Sequence, residues 1–369
     1  MNMEKDNKMG ASAHKRLFIP GPVDVEEDVL EMMGQPMISH RTKEASDLQR
    51  RISEKLQKLM YTENEIILST SSGSGLMEGA VRSCTAKRAA VFSIGAFGDR
   101  WYKMAQSNNV PSDLFKSELG QVTRAESVRE VLETGLYDLI CVTHNETSTG
   151  VTNPVDEIGQ VMKDFPDVVW CLDAVSSLGG SEIRVDQLGV DVCITSTQKC
   201  LGLPPGMSIA SVSDKAIENA KKVTHRGLYF DYLELYNFVK NKDYQYPSTP
   251  SLSHMYALDY KLSQILEEGP EKRFARHKDM ADLVRAWAKK NFSLYSDEKH
   301  LSNTVTCITN TRELSFADFN GKMVQRGYLL SNGYGPLKDK TFRIAHMADT
   351  SLEEVQVLLD TIDEVLEEM

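Results

Sequence analysis

With 369 residues, 41% of them hydrophobic, the chain can bury roughly three quarters of its unfolded surface, so it needs no disulfide or metal to fold and has room for two subdomains. Its formal charge of −11, from 53 acidic against 42 basic side chains, repels nucleic acid and anionic lipid and makes a small molecule the default partner. The six cysteines form no CxxC pair and sit in apolar runs such as ICVTH and VVWCLD, as reduced core residues of a cytoplasmic protein do; no metal site is expected, and no apolar run approaches the ~20 residues that span a bilayer.

In chain order, the polar start MNMEKDNKMGASAHKR lacks a signal-peptide hydrophobic region, and residues 1–15 read as a disordered tail. Glu44 to Met60 reads as an amphipathic helix, with Leu48, Ile52, Leu56 and Met60 four apart. From Glu65 to Val212 short apolar runs (EIILS, AAVFSI, LICVTH, VVWCLD, DVCITS, SIASVS) alternate with helical stretches. That rhythm predicts an α/β fold with a mostly parallel sheet covered by helices on both faces. Ser251 to Glu268 forms a long helix that Gly269-Pro270 breaks. This places the boundary between a large unit, 16–268, and a smaller C-terminal α+β unit, 269–369, with strands NTVTCIT and KTFRIAH.

In such a sheet ligands bind beyond the carboxyl ends of the strands, so the chemistry belongs in the loops that follow them. After EIILS, Thr70 to Gly75 opens a helix with hydroxyls, glycines and free N–H groups, which suits a phosphate. Taken alone, a Ser/Gly turn of this kind is more often a simple cap. After VVWCL comes Asp173, either a satisfied core carboxylate or the partner of a buried cation. After DVCITS come Gln198 and Lys199; a desolvated lysine loses basicity and can condense with an aldehyde, whereas a solvated one would be bland. One ligand uses all three features together: pyridoxal 5'-phosphate (PLP), whose protonated ring is an electron sink.

These loops resemble the class V aminotransferases, and within them the alanine–glyoxylate and serine–pyruvate aminotransferase group. The resemblance runs from about Leu17 to the C-terminus and is carried by PGP (20–22), SGSG, GAFG, THNETSTG, DAVSSLGG, STQKCLGLPPG and GPLKDKTFRI, with Lys199 placed 26 residues after Asp173. It implies a fold-type I PLP enzyme with a large, mostly parallel seven-stranded sheet and a smaller C-terminal α+β domain.

The resemblance also implies roles. Lys199 holds the cofactor and moves the substrate's α-proton, Asp173 pairs with the ring nitrogen, and Val175 and Phe97 pack on the ring, Phe97 replacing a frequent Trp. Ser72, Gly73, Ser74 and Gln198 hold the phosphate, and Thr147 bonds near the ring oxygen. Tyr246 and Thr249 complete the phosphate site of a neighbouring subunit, implying a homodimer with shared sites. Arg343 clamps the substrate α-carboxylate. Arg41 borders the substrate entrance, where it either binds a second anionic group or pins the N-terminal segment.

The implied reaction is ping-pong transfer of an amino group from alanine or serine to glyoxylate or pyruvate. A 2-aminoethylphosphonate–pyruvate transaminase stays open, because loops build the side-chain pocket. A PLP lyase or cysteine desulfurase is disfavoured by Phe97, where a histidine is typical, and by the absence of cysteine from Leu330 to Lys340. A non-catalytic binding protein would be expected to lack Lys199, Asp173 or Arg343.

Overall fold

The computed structural model describes residues 14–369; of the expected tail, residues 1–13 lie outside the described residues. The described chain opens with strand β1 (Arg16–Phe18) and helices α1 (Glu27–Met33) and α2 (Lys43–Met60). The four-residue spacing of Leu48, Ile52, Leu56 and Met60 does place them on one buried stripe of α2, packed toward helix Leu252–Glu268. A truncation such as Leu56→Ala in that stripe would cost about 2–5 kcal/mol.

The main sheet contains β2 (Glu65–Ser69), β3 (Ala89–Ser93), β4 (Ser112–Lys116) and β5 (Leu139–Thr143). A two-stranded hairpin follows, β6 (Asn145–Glu146) with β7 (Val151–Thr152), before β8 (Val169–Asp173), β9 (Val192–Ser196) and β10 (Ser208–Val212) return to the sheet. The spatial order is β2-β10-β9-β8-β5-β3-β4, seven strands as the resemblance implies. Strands β3, β5, β8, β9 and β10 are buried along their whole length, which is why they read as unbroken apolar runs.

Two features go beyond the sequence expectation. Strand β4 carries polar residues because it is the half-exposed edge, and β10 (SIASV) runs antiparallel to both of its neighbours, β9 and β2. That double reversal leaves β2 in the same sense as β9. The ends of β2, β3, β5, β8 and β9 therefore open on one edge of the sheet, where helices α3 (Gly73–Cys84) and α4 (Ala96–Ser107) begin.

A second, five-stranded sheet runs β1-β13-β14-β12-β11, built from β11 (Ser293–Leu294), β12 (Val305–Thr309), β13 (Tyr328–Asn332) and β14 (Thr341–Ala345). It has its own core around Phe319, Phe342, Ile344 and Leu358. Gly269, at φ +89°, separates helix Leu252–Glu268 from helix Pro270–Asn291. Of the N-terminal segment, which the sequence groups with the larger unit, α1 and α2 pack on helix Leu252–Glu268, while β1 alone, Arg16–Phe18, pairs in parallel with β13 and covers the otherwise open edge of the small sheet. Among the described residues, no helix is long and apolar enough to cross a membrane.

Candidate active site

At the strand ends lies a cavity of about 160 Å³ lined by Ser72, Gly73, Ser74, Phe97, Thr147, Asp173, Val175, Gln198 and Lys199. These nine residues come from five loops, and the sheet topology alone brings them together. A larger open groove of about 1120 Å³ runs beside α1 and contains none of them; its lining mixes carboxylates such as Asp24, Glu27 and Glu268 with the cations Arg16, Lys261 and Arg273.

One end of the cavity is polar. Ser72 precedes α3 without making a side-chain cap bond among the described residues, and the first turn of α3 holds no acid; the Gly75 N–H is spent on the Ser72 carbonyl at 2.8 Å, which leaves those of Gly73 and Ser74 for an anion. Gly73 is required here by space: a Cβ would lie 2.6 Å from Val175 Cγ2 and 3.6 Å from Ser196 Oγ. Ser196 Oγ and the Gln198 amide oxygen are buried without a hydrogen-bond partner among the described residues, and both residues line the cavity. Buried polar atoms rarely stay unpaired, so a polar ligand belongs at this end.

The reactive groups lie deeper. Asp173 ends β8 at 4% exposure, and burial pushes its carboxyl up to about 7, although the Val175 N–H donates to it at 2.9 Å. Lys199 follows β9; burial pulls its amine down to about 8, and Nζ donates to the Pro20 carbonyl. The PGP turn at 20–22 is thus a wall of the lysine's site. Asp173 and Lys199 follow adjacent parallel strands, which keeps acid and amine in one small space.

Phe97 enters from the start of α4. Its backbone N–H and that of Gly98 donate to Glu146 at 3.0 and 3.2 Å, and Glu146, fully buried, also accepts the Ser148 N–H at 3.0 Å. The Thr147 hydroxyl donates to Ser176 Oγ at 2.9 Å. Arg343 on β14 does not line the cavity but reaches its rim, where Nη1 donates to the Thr147 carbonyl at 3.1 Å while Nε and Nη2 donate to the Asn332 carbonyl at 3.1 and 2.9 Å. Tyr334 stands between the two, its ring 5.7 Å from that of Phe97 and 5.6 Å from the Arg343 guanidinium.

Three of the predicted residues lie away from the cavity. Arg41 donates to the carbonyls of Tyr246 at 2.6 Å and Pro247 at 3.4 Å, tying the N-terminal segment to the Tyr246–Pro250 turn. Tyr246 is buried beside that turn and Thr249 is exposed on it. Sequence reasoning missed Arg100, Asn145, Ser176 and Ser196, which line the cavity, and Glu146, which holds Phe97. Three of these lie within the motifs THNETSTG and DAVSSLGG, where the hydroxyl and amide side chains were the available signal.

The family model for class-V aminotransferases matches residues 24–333 of this chain. An uncharacterized aminotransferase of Methanocaldococcus jannaschii is 37% identical over 363 residues, covering 96% of this chain and 93% of the relative. The serine–glyoxylate aminotransferase of Arabidopsis thaliana is 32% identical, covering 96% and 90%. Among solved structures, an alanine–glyoxylate aminotransferase from Nostoc sp. superposes with a TM-score of 0.90 at 24% identity, covering 99% of this chain and 100% of that one.

Proposed function

The chain belongs to the class-V aminotransferase family and is an aminotransferase, and on that premise we propose that it uses PLP to pass an amino group from alanine or serine to glyoxylate or pyruvate by a ping-pong mechanism. The observation that carries this reading is the shared cavity of Lys199 and Asp173, with unpaired buried polar atoms at its other end.

The residues fit PLP. Ser72, Gly73, Ser74 and Gln198 would hold the phosphate, Asp173 the ring nitrogen, Thr147 the ring-oxygen side, and Phe97 and Val175 the ring faces; Lys199 would attach it covalently. Tyr246 and Thr249 would close the phosphate site of a second copy of the chain. Arg41 serves to pin their turn. Bound PLP supplies a protonated ring that accepts electron density from the substrate's α-carbon.

The protein's own part is proton and charge placement. Asp173, buried with a carboxyl held near 7, gains a cation when a protonated ring nitrogen faces it, and this favours its ionised form. Lys199, with an amine of about 8, is close enough to neutrality to take a proton from the substrate α-carbon and return one. Arg343 presents a planar fork at the rim for the substrate α-carboxylate. Serine as donor is supported by the serine–glyoxylate relative. All six cysteines are buried, so none is exposed to act as the nucleophile of a desulfurase.

The test is the visible absorbance of the purified protein, read while alanine, serine and 2-aminoethylphosphonate are added singly, with Lys199→Ala alongside. Alanine or serine should bleach the wild-type band, and glyoxylate or pyruvate should restore it. A protein still colourless after incubation with PLP overturns the cofactor assignment; bleaching by the phosphonate alone overturns the donor assignment.

A further inference from the structure

The assigned phosphate ligands are neutral: hydroxyls, an amide and backbone. A phosphate monoester carries about −1.5 to −2 at neutral pH, and a helix N-terminus offsets only roughly half a charge. Asp173 adds negative charge to the same cavity. Its cationic lining residues are Lys199, which attachment to the cofactor would consume, and Arg100.

We propose that Arg100 is the counter-charge of the cofactor phosphate, an inference that rests on the PLP reading above. Arg100 lies on α4 three residues after Phe97, hence on the same helix face, and its guanidinium sits 4.8 Å from the Phe97 ring centroid. Nη1 donates to Ser74 Oγ at 3.1 Å, which brings the charge to the phosphate end of the cavity. The surrounding carboxylates hydrogen-bond to other groups: Asp99 pairs with Lys116 at 2.8 Å, Glu146 accepts the amides of Phe97 and Gly98, and Asp173 accepts that of Val175, with Arg100 acting on Asp173 only through its field and not through a hydrogen bond. Among the described residues Arg100 forms no ion pair with a carboxylate, and a half-buried guanidinium that lines a cavity in that state is a receptor for an anionic ligand, because leaving it uncompensated is costly. The Ser74 bond selects the cofactor phosphate over a distal carboxylate of the substrate, which would approach from the Arg343 side.

The experiment strips cofactor from the full-length protein and titrates wild type, Arg100→Gln and Arg100→Lys with PLP, and with pyridoxal in the absence and presence of inorganic phosphate, following absorbance. In Arg100→Gln, PLP affinity should fall roughly 10- to 100-fold, the scale of a charge-assisted hydrogen bond, while pyridoxal affinity stays within about twofold. Inorganic phosphate should tighten pyridoxal binding to wild type and not to Arg100→Gln. Lysine should recover part of the loss as a point charge.

Equal losses for PLP and pyridoxal would reduce Arg100 to a prop for Phe97 and overturn the proposal. So would unchanged PLP affinity with a defect confined to aspartate or glutamate as donor. If Arg100→Gln does not fold by circular dichroism, the PLP-to-pyridoxal ratio of Arg100→Lys against wild type decides in the same way. A wild type that binds neither compound removes the PLP reading itself, and this inference with it.

Discussion

Gly21 stands where a side chain would strike Lys199: a Cβ there would lie 2.7 Å from Lys199 Cδ and 2.9 Å from Nζ. Its φ of +89° also lies in the left-handed region, which costs other residues about 1–2 kcal/mol. The lysine stem is enclosed and its amine is held by the Pro20 carbonyl, so it cannot yield without leaving its place. Gly21→Ala should therefore lower kcat/KM at least ~10-fold, the effect of a misplaced reacting group, and lower the melting temperature by a few degrees. Steady-state kinetics with melting checks both; a variant of unchanged kcat/KM would free the N-terminal turn from any part in setting the lysine.

Asp173 links activity and stability with opposite signs. Its folded value of about 7 lies above the ordinary 3.8, so the folded state holds the proton that the unfolded chain releases. The stability this contributes is complete below about 4 and is lost as pH rises through about 7, where the cost of burying the ionised carboxylate is fully expressed. Asp173→Asn removes that cost and still accepts the Val175 amide. Stripped of cofactor, the variant should gain on wild type as pH rises from 4 to 8, by on the order of 1–3 kcal/mol at the upper end. Activity should fall at least ~100-fold, since no charge then faces the ring nitrogen. Denaturant melts at pH 4.5 and 8 decide the first claim; an advantage that shrinks with pH would show that Asp173 is not a strained buried acid.

What was legible in the sequence follows from locality. Asp173 ends one apolar strand and Lys199 comes three residues after another, and an ionisable residue at or just past the end of such a run announces itself. Arg100 did not, because a charged residue on an amphipathic helix reads as solvated; only its approach to Ser74, 26 positions away, reveals the cavity. Nothing local marks Glu146, because its partners, the amides of Phe97 and Gly98, lie 49 and 48 positions earlier in the chain. The antiparallel setting of SIASV has no local signature, because strand direction is fixed by the path of the connecting chain. The pairing of β1 with β13 joins segments more than 300 residues apart, beyond the reach of any periodicity.

Arg343 spends three of its N–H groups on the carbonyls of Thr147 and Asn332, leaving two of five for a carboxylate. Lysine keeps the charge but cannot hold both carbonyls and a fork. Arg343→Lys should raise KM for the amino donor roughly 10- to 100-fold, the worth of a charge-assisted bond, and leave PLP affinity unchanged. Donor-dependent kinetics beside a cofactor titration separates the two; a loss of PLP affinity of the same size would make Arg343 part of the cofactor site instead.

Tyr246 and Thr249 lie outside the cavity of their own chain, which raises the question of whose site they serve. If they reach into a second copy, a chain lacking Lys199 can still complete its partner's site. Mixing Lys199→Ala with the double variant Tyr246→Phe, Thr249→Ala should then generate dimers in which one site carries every defect and the other carries none. After unfolding and refolding together, two variants that are each poor alone should recover about a quarter of wild-type activity, as expected for random pairing into symmetric dimers. If each chain builds its whole site alone, both sites of a mixed dimer remain damaged and mixing gains nothing. The assay of the mixture against its separate components thus decides whether the aminotransferase works as a shared-site dimer, without requiring a structure of the assembly.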